Sequence, residues 1–275
     1  MALDFIKLFK GNEAVSQVGN FGFFKLSTQS AGGGGTGGGD LTFSTTFSEN
    51  TPEQISAVSA LISANNMTSA EVEATYGWKI GDTISYQLTT GENMQMRIVG
   101  FNHDDKADGS GKAGITLDLT HCVRIRAMMS NASSNEGGYL KSLAKTSYIP
   151  SIKETLPQEW KNAIKLVTKK SMSGGRYPQV VESSEDLFLL SDREIYLNYS
   201  NTVSASSEGT IYEYWQDGSA SKRIKPLDFG GTSGATWILR SCAETNSYVT
   251  VKSSGIGGYM VANNQSSWMT FAFCI

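Results

Sequence analysis

Cysteine is scarce in this 275-residue chain: Cys122, Cys242 and Cys274 are the whole supply, an odd number with no C-x-x-C spacing. That excludes a disulfide framework and fits three buried, reduced thiols in a chain folded in a reducing cytoplasm. Histidine is scarcer still, and His103 and His121 cannot supply an H-E-x-x-H helix. With Cys122 they also fall one ligand short of a zinc site. No run of about 18 apolar residues occurs. The opening Met1-Ala2-Leu3-Asp4-Phe5-Ile6-Lys7 lacks the basic start and apolar stretch of a secretory signal, so neither membrane insertion nor signal-directed export is expected. An excess of positive charge is missing too. Lys+Arg number 23 against Asp+Glu 26, net −3, which leaves no basic field for phosphates and disfavours sequence-independent nucleic-acid binding. Proline is rare at 5 while glycine reaches 29, so turns are many and rigid corners few.

What is present begins with a glycine run, Gly32-Gly33-Gly34-Gly35-Thr36-Gly37-Gly38-Gly39, which has no side chains to bury. It predicts a division between residues 1–45, an N-terminal attachment region with a Gly-rich linker, and a working domain over 46–275; a glycine loop within one assembly is the alternative. Thr51-Pro52-Glu53-Gln54 and Thr68-Ser69-Ala70-Glu71 have the form of capping boxes, predicting helices over about 52–64 and 68–77. Alternating Ile84, Tyr86, Leu88 and Met94, Met96, Ile98 around Gly91 predict a hairpin over 82–101, and Ile115, Leu117, Leu119, Val123 and Ile125 a strand or pair over 114–127.

Tyr139, Leu140, Leu143, Ala144 and Tyr148 predict a helix ending before Pro150. Pro157 opens another, with Trp160, Ile164 and Val167 inward and Lys161, Lys165, Lys169 and Lys170 on a solvated face. Leu187 to Leu190 reads as a short strand capped by Ser191-Asp192-Arg193-Glu194. Short strands follow at 237–240, 248–252, 259–262 and 269–275. Early helices and late strands predict an α+β fold with an antiparallel sheet.

Gly109-Ser110-Gly111-Lys112-Ala113-Gly114 satisfies G-x-G-x-x-G. A dinucleotide site needs a strand before and a helix after; here a polar run precedes and a strand follows, so the nucleotide reading is rejected. No G-x-S-x-G occurs. Asp104, Asp105 and Asp108 place three carboxylates within five residues, which leaves two readings: oxygen ligands for Ca²⁺, or a polar loop whose carboxylates accept backbone N–H bonds in tight turns. No other cofactor is expected. The stretch most suited to binding is the C-terminal one, where Tyr248, Thr250, Lys252, Tyr259, Asn263, Asn264 and Trp268 are interspersed with glycine and serine. Tyr and Trp supply rigid amphipathic area and Asn, Ser and Gly adaptable hydrogen bonding. Ordinary hairpin turns with solvated faces are the alternative.

The ordered segments Trp78-Lys79-Ile80-Gly81-Asp82, Ile98-Val99-Gly100-Phe101-Asn102-His103-Asp104, Tyr139-Leu140 to Ile149, Leu187-Phe188-Leu189-Leu190-Ser191, Trp237-Ile238-Leu239-Arg240-Ser241 and Phe273-Cys274-Ile275 resemble the DUF6273 domain over residues 75–275. That domain is common in proteins of gut Firmicutes and of their phages and prophages. The resemblance implies a C-type-lectin-like fold, similar to formylglycine-generating-enzyme relatives and to the variable receptor-binding proteins of diversity-generating retroelements, in which a stable scaffold presents a changeable C-terminal surface. Many relatives carry a proline after the arginine of the tryptophan motif and an arginine-proline pair before the last strand; Ser241-Cys242 and Thr270-Phe271-Ala272 stand here instead.

By that resemblance the chain is expected to be a non-enzymatic receptor-binding protein of a phage or prophage-derived particle. It would be made in the bacterial cytoplasm and carried in the virion, where it acts outside the cell. Residues 1–45 would dock on other tail proteins, and the ligand would be a host cell-surface glycan or protein. A homotrimer is expected by the same analogy. Two rivals stand beside it: a cation-dependent glycan-modifying enzyme built on Asp104, Asp105 and Asp108, and a structural or decoration subunit of the particle.

Overall fold

The computed structural model describes residues 14–17, 23–27, 41–197 and 208–275. Most of the expected attachment region, including the glycine run at 32–39, lies outside the described residues. The described residues begin with three short strands, β1 (Ala14–Gln17), β2 (Phe23–Ser27) and β3 (Leu41–Ser44), paired antiparallel in that order. Phe23 pairs with Ser44 and Leu26 with Leu41, so the strands on either side of the glycine run are partners. Strand β3 contributes Phe43 to the larger core. Phe43 is buried beside Tyr76 and Trp78, and Trp78 Nε1 donates to the Ser44 carbonyl at 2.9 Å.

Both helix-start signals are realised. Helix α1 (Pro52–Ala64) is capped by Thr51, whose hydroxyl accepts from Gln54 N while Gln54 Oε1 accepts from Thr51 N. Helix α2 (Ser69–Tyr76) repeats the arrangement with Thr68 and Glu71 and closes on Gly77 at φ +77°. Each capping box satisfies two backbone donors that a bare helix end would leave open. The inward stripe of α1, Ile55, Val58, Leu61 and Ile62, seats it on the core.

Beyond α2 come β4 (Thr83–Gln87), β5 (Asn93–Phe101), β6 (Ile115–Leu119), β7 (Val123–Ala127), α3 (Ile149–Thr155) and α4 (Gln158–Ala163). They are followed by β8 (Val167–Met172), β9 (Val180–Glu185), β10 (Leu187–Phe188) and α5 (Asp192–Ile195). The last strands are β11 (Lys225–Pro226), β12 (Gly234–Ala235), β13 (Trp237–Cys242), β14 (Ser247–Val251), β15 (Gly257–Val261), β16 (Ser267–Met269) and β17 (Ala272–Cys274).

Two local expectations fail. Pro150 does not stop a helix: a π-helical turn at Ala144–Tyr148 runs into α3, where Pro150 occupies an opening position that needs no N–H donor. The lysine-bearing segment after Pro157 is also not one helix. It ends at Ala163 and continues as strand β8, and the strand alternation turns Lys169 inward to 4% exposure while Lys170 stays exposed.

Two five-stranded sheets carry the fold, in the orders β10-β17-β6-β5-β4 and β15-β14-β13-β16-β7. Pairing is antiparallel except for β13 with β16, where Trp237 lies opposite Trp268. The architecture is thus mixed helix and sheet with largely antiparallel sheets. Successive residues of the central strands enter different cores: Ile98, Ile238, Tyr248 and Phe273 join the larger cluster, and Val99, Leu239, Val249 and Cys274 the smaller. Both faces of these strands are therefore covered. Burying each large apolar side chain stabilises the fold by about 1.5–3 kcal/mol.

Candidate functional site

Four charged side chains meet between the sheets. Asp104, three residues past β5, places Oδ1 2.6 Å from Lys169 Nζ of β8, while its Oδ2 accepts from Thr116 Oγ1 at 2.7 Å and from Tyr212 OH at 2.8 Å. Lys169 reaches Glu194 of α5 at 2.5 Å, and Glu194 takes the fork of Arg240 on β13. Arg240 also donates to the carbonyls of Lys170, Leu189 and Glu208. Burial opposes ionisation of both carboxyls, yet the Lys169 charge holds Asp104 well below the usual range, and Arg240 with Lys169 holds Glu194 down. Lys169 in turn is held up against the pull of burial by Asp104 and Glu194.

Beside this network lies a cleft of about 620 Å³ lined by His103, Asp104, Lys169, Glu194, Glu208 and Arg240, with Gly209 and Thr210 at its mouth. Its deepest cations are saturated by protein acceptors, so their first role is to hold four elements together.

A second buried pair lies farther along the same face of β6, because Asp118 stands two residues from Thr116 on that strand. Lys225 Nζ sits 2.6 Å from Asp118 Oδ1 and 2.8 Å from Thr270 Oγ1, and Arg97 completes Asp118 at 2.8 Å. Burial lowers the Lys225 ammonium to about 8. Next to it a smaller pocket of about 230 Å³ is bounded by His121, Cys122 and Phe229.

The carboxylates of the proposed Ca²⁺ loop are not brought together. Asp104 turns into the core, whereas its neighbour Asp105 turns out and pairs with Lys112 at 3.0 Å. Asp108 accepts Ser110 N at 2.9 Å. Backbone bonds from Lys106 to Gly111 and from Ala113 to Asp104 make the segment a hairpin, in which adjacent side chains must point to opposite sides. Among the described residues no group of three or more His, Cys, Asp or Glu side chains is placed to hold a metal ion, and no helix is long and apolar enough to cross a membrane.

The expected C-terminal surface divides. Tyr248 and Thr250 leave it: they are 1% and 2% exposed because β14 is covered on both faces, and Tyr248 OH donates to the Gly138 carbonyl at 2.9 Å. Lys252, Asn263 and Asn264 are exposed, and Tyr259 is 46% exposed. Trp268 is half-buried, with the Arg126 guanidinium 3.9 Å from its ring centroid. Sequence reasoning missed two apolar members of this surface, Ile256 and Val261, which flank Tyr259 on or beside β15. Among the described residues β15 is paired on one side, by β14. Missed too were Lys169, Glu194, Glu208 and Arg240. The signal for Arg240 was a lone charge in the apolar run Trp237-Ile238-Leu239-Arg240, which demands a buried partner.

Against known proteins, one family description matches: Domain of unknown function (DUF6273), over residues 122–275. No curated protein and no solved structure matches the chain. The match begins between β6 and β7, yet β17 within it pairs with β6 before it, Phe273 opposite Leu117. The matched part therefore shares a sheet with β4, β5 and β6, which also carry the upstream segments Trp78 to Asp82 and Ile98 to Asp104 into the same body.

Proposed function

We propose, for a chain that belongs to the DUF6273 family, a recognition role without catalysis: a receptor-binding protein of a phage or prophage-derived particle, of C-type-lectin-like kind, that holds a host cell-surface glycan or protein on its C-terminal surface. One observation carries the reading. Ile256, Tyr259 and Val261, 51%, 46% and 37% exposed, stand on or beside an edge strand, next to the exposed amides of Asn263, Asn264 and Gln265. An aromatic and aliphatic platform bordered by directional hydrogen-bonding groups suits a sugar face or a protein side chain. The frame behind it is rigid for a stated reason: its buried charges are paired and hydrogen-bonded to one another. In this reading residues 1–45 attach the protein to other tail proteins, and several copies, as in a homotrimer, offset a weak single-site affinity.

Loss of host-cell binding by a Tyr259→Ala, Trp268→Ala double variant with unchanged melting supports the role. Undiminished binding by that variant sinks it. A second reading, a glycan-modifying enzyme, draws on the cleft lined by the carboxyls of Asp104, Glu194 and Glu208. Turnover of a cell-wall glycan that disappears on Glu208→Gln, with cell binding intact, would favour it over recognition.

A further inference from the structure

Two buried carboxyl groups meet at one hydroxyl. Ser241 Oγ accepts the Asp192 backbone N–H at 3.0 Å, lies 3.1 Å from Asp192 Oδ1 and is hydrogen-bonded to Glu208 Oε2. A serine hydroxyl has one proton to donate. With both carboxyls ionised, one of the two contacts would set lone pair against lone pair in a site where Asp192, Glu208 and Ser241 are each 0–1% exposed. One added proton resolves it. Glu208 Oε2–H donates to Ser241 Oγ, Ser241 donates to Asp192 Oδ1, and Glu208 Oε1 still accepts from Met172 N at 2.8 Å.

We propose that a proton held between Glu208 and Ser241 latches the start of the segment from Glu208 to Trp215, whose Gly209 and Thr210 line the Lys169–Arg240 cleft, and that losing it as the pH rises through neutrality loosens that segment. The segment is tied by polar contacts along its length. The Glu208 carbonyl accepts from Arg240 Nη2 at 2.8 Å, Thr210 bonds His103 Nε2 at 3.1 Å, Tyr212 N donates to the Glu194 carbonyl at 3.0 Å, and Tyr212 OH reaches Asp104. An ionised Glu208 carboxylate would lose its donor bond to Ser241 and face the Asp192 carboxyl across that hydroxyl, which loosens the start of the segment.

The groups that face Glu208 agree with this assignment. From β13 come Arg240 and the Cys242 thiol, from α5 Asp192, and from β8 the Met172 amide, while Glu194 and Lys169 line the same cleft. Burial pushes the Glu208 carboxyl up to about 7, Arg240 opposes that rise, and Asp192 adds to it. Burial also drives the Cys242 thiol up, so it stays protonated across the same range. Glu194 is held down by Arg240 against burial and stays ionised, so the added proton does not belong there.

The sign follows from proton linkage. Below its ordinary value of 4.5 Glu208 is protonated whether folded or not; from there to about 7 only the folded chain holds the proton. Its stabilisation is therefore full at low pH and lost as the pH rises through about 7. His121 titrates in the opposite sense below 6.5, so the decisive comparison is between variants at each pH. Glu208→Gln keeps the shape and supplies a permanent donor to Ser241. Its melting temperature should match wild type at pH 5 and exceed it by several degrees at pH 8, and amide exchange over 208–215, corrected for intrinsic rate, should speed up with pH in wild type alone. A wild-type minus Glu208→Gln difference that stays constant from pH 5 to 8 overturns the latch. Should the variant fail to fold, infrared titration of wild type decides: a protonated-carboxyl band present at pH 5.5 and gone at pH 8 is expected, and its absence at pH 5.5 overturns the proposal.

Discussion

Arg240 and Glu194 meet as fork and carboxylate, Nη1 2.6 Å from Oε2 and Nη2 2.8 Å from Oε1, with the guanidinium fully buried. The pair joins β13 to α5, and through Lys169 and Asp104 it reaches β8 and the segment just past β5. Bidentate geometry fixes orientation as well as distance. The network thereby sets how the two sheets sit, and so where β15 presents Tyr259.

Removing one partner strands the other charge in a dry site. Glu194→Gln should lower the free energy of unfolding by about 3–5 kcal/mol in urea titrations. Arg240→Lys should also be costly, because an ammonium cannot reach Glu194 in fork fashion while serving the Lys170, Leu189 and Glu208 carbonyls. A loss under about 1 kcal/mol for Glu194→Gln would mean that the pair contributes little to the frame.

Gly114, the last glycine of the G-x-G-x-x-G string, owes its identity to packing. A Cβ there would lie 2.0 Å from the Ser59 carbonyl oxygen of α1, whereas one at Gly109 or Gly111 would meet open space. Gly114→Ala should cost at least the roughly 1–3 kcal/mol of an overpacked core, since main chain and not a flexible side chain must yield. Equal stability of Gly114→Ala and wild type by thermal melting would contradict that close approach.

His121 sets a second pH dependence. Burial, with the Lys225 charge adding to it, lowers the imidazole from 6.5 to about 4. The unfolded chain binds this proton before the folded chain does, so stability from this group is full above 6.5 and falls as the pH drops toward 4. Unfolding free energies measured from pH 4 to 7 should rise less steeply in His121→Gln than in wild type. An unchanged slope would place the imidazole in a wetter site than its 3% exposure implies.

What was legible in the sequence was local. Thr51 with Gln54, Thr68 with Glu71 and Ser191 with Glu194 mark helix starts because each capping box closes within three residues. Alternation over 82–101 and 237–262 located strands for the same reason. Which face of a strand meets solvent is a long-range fact, and it failed at Tyr248 and Thr250, where a second core covers the side that polarity pointed outward. Lys169 was hidden among three other lysines of its segment, and its partners Asp104 and Glu194 lie 65 and 25 residues away. No spacing rule reaches that far. Asp104 and Asp105 are neighbours in sequence yet point apart, because a hairpin sends adjacent side chains to opposite sides.

The recognition role is tested most directly by hydrogen–deuterium exchange of the intact protein with and without a host cell-surface fraction. Protection at 256–268, with the cleft around Lys169 and Arg240 unaffected, is the outcome expected. Protection confined to 103–112, 168–170 and 208–210, with β15 and Trp268 unchanged, would contradict it and move the site to the cleft.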